Sequence, residues 1–227
     1  TIYNGIPALA GDASGQYAAL IDRSTVVHLS RVPNLGGRVT LSVSRDGIAS
    51  GVVREGAVRR PFRSRLTVDT TLPHLPALRT PLSRDGQLLE LVFLPDQNQV
   101  RGRLLPASAS ISIALSPPVR VEALISGWRR IWNARTQPVT SYLARHHLAL
   151  ENEDLTQGPQ GFGYLVASVP HRNGRCVLNG RLPDGQVITS TTFVGPQGQV
   201  PLYSPLYRNA GSCRGWLGAP IHAAALW

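Results

Sequence analysis

Residues 163–217, GYLVASVPHRNGRCVLNGRLPDGQVITSTTFVGPQGQVPLYSPLYRNAGSCRGWL, decide the fold class because short apolar segments alternate in them with turn signals. Asn173-Gly174 and Asp184-Gly185 are dipeptides that readily adopt the positive φ values of tight hairpins. Between the turns, residues 187–193 (VITSTTF) alternate at the two-residue period of a β-strand. The stretch is therefore predicted to form consecutive antiparallel strands joined by hairpins.

The first half of the chain repeats the order of these signals. An alternating strand begins at Gly37 and Asp46-Gly47 turns it, as Asn173-Gly174 does in the second half. Residues 85–95 (DGQLLELVFLP) occupy the place of residues 197–207 (QGQVPLYSPLY). Order and spacing, more than residue identity, thus predict an all-β protein. It would have two similar halves from an internal duplication, each an antiparallel β-barrel or β-sandwich.

Three segments follow from this interpretation. Residues 1–106 are predicted to be a first β-rich repeat, residues 107–140 a connector with strands and a Trp-containing turn, and residues 141–227 a second β-rich repeat. A chain of 227 residues suits one large β domain or two small ones. A hydrophobic content of 42% is ordinary for globular proteins and is sufficient for a core.

The charge of the chain is strongly basic, at +10, and its 23 basic residues are all arginine. Arginine makes permanently charged, bidentate contacts to carboxylates, sulfates and phosphates. The alternative explanation for the absence of lysine is a GC-rich genome. A basic balance favours acidic partners such as anionic polysaccharide, envelope lipid or nucleic acid. An aromatic content of 6% and the lack of a known binding motif disfavour nucleic acid among these.

A basic strand is the most distinctive local feature. If residues 58–66 are extended, Arg59, Arg63 and Arg65 share one face, and Arg54 lies on the preceding strand. We interpret these four arginines as a candidate anion-binding strip. The alternative is a solvated strand face whose charges prevent edge-to-edge pairing.

Four aromatic residues are candidates for contact with a sugar: Trp128, Trp132, Tyr203 and Tyr207. Aromatic rings with a polar tip suit such ligands, because the ring is apolar and the hydroxyl or indole N–H at its edge forms hydrogen bonds. The alternative is that they pack in a core or across hairpins.

Both cysteines, Cys176 and Cys213, lie in the same β-rich stretch, which predicts a disulfide between them and an oxidising compartment. We therefore expect an exported protein, extracellular or on the cell surface, from which a signal peptide has been removed. The alternative is a pair of buried free thiols. No run of about 18 apolar residues occurs, so no transmembrane helix is predicted.

Motifs for the common chemistries are missing from the sequence. There is no G-x-S-x-G elbow, a P-loop would need a lysine, and the six histidines have no metal-ligand spacing. A glycosidase needs two facing carboxylates, and the sequence indicates no such pair among its 13 acidic residues. The sequence thus predicts no catalytic residue, no metal site and no cofactor, and a protein that is not an enzyme.

A series of short motifs resembles a known module. The series is W-R-x-x-W at residues 128–132 with Pro138, and then Q-G-F-G-Y, L-P-D-G-Q, F-V-G-P-Q-G-Q, P-L-Y-x-x-L-Y and G-W-L. It resembles the duplicated β-rich modules of large secreted and surface proteins of Verrucomicrobia- and Planctomycetes-type bacteria. The resemblance covers about residues 120–217 well and the first half loosely. It implies an exported β-rich module and assigns no role to any residue. The paired cysteines depart from the pattern.

These observations predict a non-catalytic structural or adhesive subunit of a bacterial extracellular or cell-surface assembly. Its partners would be other copies of itself or other surface proteins. The alternative is a module that binds carbohydrate or an anionic polymer. Residues 1–10 and 219–227, with Trp227 at the end, carry few charges. A neighbouring copy is predicted to receive them by strand addition, which would give a filament; the alternative is a tail packed on its own barrel.

Overall fold

The computed structural model describes residues 12–23, 35–68, 75–82, 86–106, 123–151, 161–218 and 223–226. These residues form an all-β structure with two short 3₁₀ helices, Pro95–Gln97 and Tyr207–Asn209. The strands are β1 Gly15–Ile21, β2 Gly37–Val43, β3 Ile48–Glu55, β4 Val58–Arg65, β5 Thr67–Val68, β6 Pro76–Pro81, β7 Leu88–Leu94, β8 Gln99–Leu105, β9 Ala123–Arg129, β10 Arg145–Glu151, β11 Phe162–Ser168, β12 Arg175–Arg181, β13 Val187–Phe193, β14 Val200–Leu206, β15 Gly211–Leu217 and β16 Ala223–Leu226.

Strands β1 to β9 form one antiparallel sheet with the order β4-β3-β2-β1-β9-β8-β7-β6-β5. The sheet curls until β4 contacts β6, so it is nearly a closed barrel. Alternating strands such as β2 turn Val39, Leu41 and Val43 inward, as the two-residue period requires. Tyr17 and Phe93 meet edge to face at the centre of this first core, with ring centroids 5.1 Å apart.

Strands β10 to β16 surround a second hydrophobic core. They form a four-stranded sheet, β10-β11-β12-β13, and a three-stranded sheet, β14-β15-β16. Strand β13 contacts β14, and β10 contacts β16, so the two sheets face a common interior. Leu150, Leu165, Leu178, Ile188 and Leu202 are fully buried there. We call the two parts of the chain the first and second units.

The boundary between the units differs from the predicted one. Strand β9 lies in the segment predicted to be a connector, yet it pairs with β1 on one side and β8 on the other. The first unit therefore extends through Arg129 instead of ending at residue 106. The alternating residues of this strand predicted its conformation, but its pairing depends on contacts with residues about 100 positions away in the sequence.

Two strands, β1 and β14, are buried on both faces because they pack against each other where the units meet. In β1, Tyr17, Ala19 and Ile21 face the first core, while Ala18 and Leu20 face outward and are buried as well. Strands covered on both sides have continuous apolar runs instead of alternation. This explains why GQYAALI and VPLYSPL lack a clear two-residue period.

Polar contacts complete the junction between the units. The Tyr203 hydroxyl accepts the backbone N–H of Gly56 at 2.6 Å and donates to the carbonyl of Gly36 at 3.3 Å. The Ser212 hydroxyl donates to the carbonyl of Leu35 at 2.6 Å. All three bonds are buried, so they fix the position of one unit on the other.

Charged side chains lie at the edge of the same junction. Arg23 donates to the carbonyl of Ser212 at 2.8 Å, and Arg214 forms an ion pair with Asp22. Burial, followed by the nearby charge of Arg214, lowers the pKa of Arg23. The bond to Ser212 compensates part of this desolvation, so the arginine also contributes to the orientation of the units.

Replacing Tyr203 with phenylalanine should lower the free energy of unfolding by about 1–3 kcal/mol, because two buried backbone groups lose their partner. The matched control is Tyr207→Phe, which removes a hydroxyl that is exposed and donates to Asp184 at 2.6 Å. That change should cost less than about 1 kcal/mol. Urea unfolding measures both. Equal losses in the two variants would contradict the structural role of the Tyr203 hydroxyl.

The predicted disulfide between Cys176 and Cys213 is wrong. Both cysteines are free and fully buried in the second core. They lie on β12 and β15, which are not neighbours in either sheet. Burial raises the pKa of each thiol to about 12, which is typical of packed, unreactive cysteines. The expectation of an oxidising compartment therefore loses its main support.

The terminal segments predicted for assembly are described only in part. Residues 1–10 and Trp227 lie outside the described residues. Within the tail, β16 pairs with β15 of the same chain, with Leu226 opposite Arg214 and Ala223 opposite Leu217. This part of the tail follows the alternative interpretation, in which the tail packs on its own unit.

Candidate functional site

An outward row of arginines crosses three strands of the first unit. Arg38 on β2 is opposite Arg54 on β3, and Arg54 is opposite Arg59 on β4. Strand β4 then continues with Arg63 and Arg65, which are exposed like Arg59, whereas Arg38 and Arg54 are half-buried. We call these five residues the arginine face. The sequence predicted four of them, but it missed Arg38, whose place beside Arg54 depends on the pairing of β2 with β3.

The opposite face of β4 points into the first core, as the alternation of the sequence indicates. Phe62 is buried there, and Leu66 is buried just beyond the end of the strand. Arg60 is also inward and only 5% exposed, and its guanidinium pairs with the carboxylate of Glu55 at 2.8 Å. A buried arginine requires such a partner, so Arg60 has a structural role.

The arginines of this face differ in whether they have hydrogen-bond or ion-pair partners within the protein. Arg38 donates to the hydroxyl of Ser190 at 3.3 Å and to the carbonyl of Thr191 at 3.1 Å, which anchors it to the second unit. Burial, and then the charges of Arg54 and Arg59, lower the pKa of Arg38. By contrast, Arg59, Arg63 and Arg65 have no ion-pair partner within the described ranges. These three guanidiniums are available to an external anion.

The four aromatic candidates do not share one surface. Trp132 packs against the second core, where it contacts Tyr142 edge to face and donates its indole N–H to Gly195 at 3.2 Å. Tyr203 is buried between the units. Tyr207 is exposed beside Asp184. Trp128 lines a cleft that contains none of the other three, so the predicted aromatic set is not a single binding site.

That cleft lies between the units and has a volume of about 220 Å³. Its lining residues are Gln99, Val100, Arg101, Ser126, Gly127, Trp128, Gln199 and Trp216. Strands β8 and β9 place Gln99 opposite Trp128 and Arg101 opposite Ser126. Trp216 comes from β15, where it is opposite Pro201. Trp216 is a contact residue that the sequence did not predict. Leu217, the next residue, is buried, and neighbouring side chains of a strand point to opposite faces. This alternation was the available indication that Trp216 faces outward.

Exposed apolar side chains form a third surface, on the second unit. Phe162 and Tyr164 lie on the same face of β11 and are 71% and 54% exposed. Tyr164 is opposite Arg181, which is in turn opposite the exposed Val187. A group of exposed apolar residues indicates an interaction surface more strongly than a single residue does, but this row contains only three such residues.

The part of the chain that the structure describes contains no group of three or more His, Cys, Asp or Glu side chains that could hold a metal ion. The described residues include no helix that is long and apolar enough to cross a membrane. Comparison with protein-family models and with curated proteins finds no match to this chain, so the resemblance to secreted bacterial modules stays a prediction.

Proposed function

We propose that this chain is a non-catalytic structural or adhesive module of a bacterial extracellular or cell-surface assembly, and that its arginine face binds an acidic polymer. The observation that carries this proposal is the alignment of Arg59, Arg63 and Arg65, exposed and without ion-pair partners among the described residues. Guanidinium groups bind carboxylates and sulfates through two parallel hydrogen bonds, which favours such ligands over neutral ones.

The dimensions of the face suit a linear ligand. Arg59 and Arg65 are six residues apart on β4, which corresponds to about 20 Å at the rise of about 3.3 Å per residue. Arg54 widens the face at one end. A polymer that carries repeated negative charges meets several of these arginines at once, whereas a small anion meets one. Binding is therefore expected to depend strongly on polymer length and on salt.

The test compares two triple variants with the same change in net charge. The first replaces Arg59, Arg63 and Arg65 with glutamine, and the control replaces Arg145, Arg172 and Arg175, which are exposed on the second unit. Affinity for heparin and for polygalacturonate is measured at several salt concentrations. The first variant should lose about tenfold or more, since hydrogen bonds to charged groups are worth about 1.5–3 kcal/mol each.

The control variant should lose less than about threefold, and the salt dependence should become weaker only in the first variant. Equal losses in both variants would mean that overall charge, and not this face, attracts the polymer. Unchanged affinity in the first variant would contradict the proposal directly. Thermal unfolding of both variants checks that their fold is intact.

We also propose that the two units derive from an internal duplication. In each, a meander of four strands is followed by a hairpin of two seven-residue strands closed by a 3₁₀ helix. In each, one further strand pairs with the second strand of that hairpin, as β9 does with β8 and β16 with β15. Strands β5 and β6 have no counterpart among the described residues of the second unit, where residues 194–199 link β13 directly to β14. The shared strand order supports the proposal more than the residue identities do.

A further inference from the structure

We infer that the cleft between the two units binds one acidic sugar unit, a pyranose ring that bears a carboxylate. This site is separate from the arginine face, from which it is divided by β1 and its contact with β14. The inference goes beyond the proposed polymer-binding role of that face and does not depend on it.

The cleft presents two half-buried indole rings, Trp128 from the first unit and Trp216 from the second. Apolar ring faces pack well against the C–H groups of a sugar, while the polar edge of indole binds its oxygens. Within the described residues, neither indole N–H donates to a protein acceptor, whereas the indole N–H of Trp132 donates to Gly195. The two rings therefore retain their donors for a ligand or for water.

The polar groups of the cleft are mostly donors. The side-chain carbonyl of Gln99 already accepts from Arg101 at 3.2 Å, so its NH₂ group is left to donate. The side-chain carbonyl of Gln199 accepts the backbone N–H of Gln197 at 2.9 Å, and its NH₂ group donates to the side-chain carbonyl of Gln197 at 2.9 Å, so one amide hydrogen of Gln199 is left to donate. Arg101 is exposed, and among the described residues it has no carboxylate partner. Donor-rich surroundings favour a ligand rich in acceptors.

The size and charge of the site narrow the ligand class. A volume of about 220 Å³ is below the roughly 300–1,000 Å³ of sites for drug-sized ligands, so it suits a single ring. Sugar hydroxyls and ring oxygens accept hydrogen bonds, and a carboxylate adds the bidentate partner that a guanidinium prefers. A hexuronate unit combines these features, whereas a neutral hexose leaves Arg101 without its counter-ion.

The experiment uses methyl glucuronide and methyl glucoside, which differ in the carboxylate. Titrations of the whole chain are followed by tryptophan fluorescence and by ligand-observed NMR. The glucuronide should bind with a Kd on the order of 1 mM and at least about fivefold more tightly than the glucoside. Arg101→Gln should remove this preference, Trp216→Ala should weaken both ligands by about tenfold, and the triple change at Arg59, Arg63 and Arg65 should alter neither.

The inference would be overturned by no binding of either sugar to the unaltered chain, by equal binding of the two sugars, or by a glucuronide preference that survives Arg101→Gln. If Trp216→Ala fails to fold, the Arg101 variant alone decides, because Arg101 is exposed and not part of either core. Loss of glucuronide binding in the variant of the arginine face would assign the sugar to that face and would equally overturn the cleft site.

Discussion

Replacing Phe93 with alanine is expected to lower the free energy of unfolding by about 3–5 kcal/mol. Phe93 is fully buried in the middle of the first core. It contacts Tyr17 edge to face, with an interplanar angle of 72°, and such aromatic pairs contribute about 0.5–1.5 kcal/mol beyond their burial. The loss of stability has two parts, the apolar contacts that the ring no longer makes and the cost of the cavity that it leaves.

The matched control for this variant is the same change at an exposed site. Phe162 is 71% exposed on β11, so Phe162→Ala should change the stability by less than about 0.5 kcal/mol. Both are measured by urea unfolding and by calorimetry. A loss below about 1 kcal/mol for Phe93→Ala would contradict the packing of the first core around the Tyr17–Phe93 pair.

Replacing Gly102 with alanine should have the second large effect, a loss of about 1–3 kcal/mol or more. A Cβ atom at this position of β8 would lie 2.0 Å from the carbonyl oxygen of Glu90 and 2.9 Å from the Cα of Leu91. Both are backbone atoms of β7, which is paired with β8 along its whole length. They cannot move aside without disturbing the ladder between the two strands, so the strain persists.

Gly218→Ala is the control for this substitution. No atom lies within 4 Å of a Cβ built there, so the change should be nearly neutral, within about 0.5 kcal/mol. Circular dichroism during thermal unfolding measures both variants. Equal melting temperatures for Gly102→Ala and Gly218→Ala would mean that β7 and β8 do not approach each other as closely as described.

Local patterns were sufficient to predict turns and alternating strands such as β2, β4 and β13. Gly174 and Gly185 have φ values of 76° and 85°, as expected for the turn dipeptides that contain them. Alternation alone placed Arg59, Arg63 and Arg65 on one face of β4 and Phe62 on the other. These features depend on neighbours within a few residues, so they are encoded in short windows of sequence.

The candidate sites depended more on pairing at a distance. Arg38 joins the arginine face because of the β2–β3 pairing, and the cleft unites Gln99, Trp128 and Trp216 from three strands. No spacing in the sequence indicates which of the aromatic residues share a surface. Trp132 and Tyr203 are aromatic like the cleft residue Trp128. Trp132, however, packs against the second core, and Tyr203 is buried in the junction between the units.

The sequence by itself determined the all-β class, the turns and the side of each alternating strand that faces a core, because these follow from backbone preferences and side-chain period. The tertiary structure decided that Cys176 and Cys213 remain free, each buried in the second core. It also decided that β9 completes the first sheet and that β1 packs on β14. These outcomes depend on which strands become neighbours, and that choice is made by the burial of apolar surface over the whole chain.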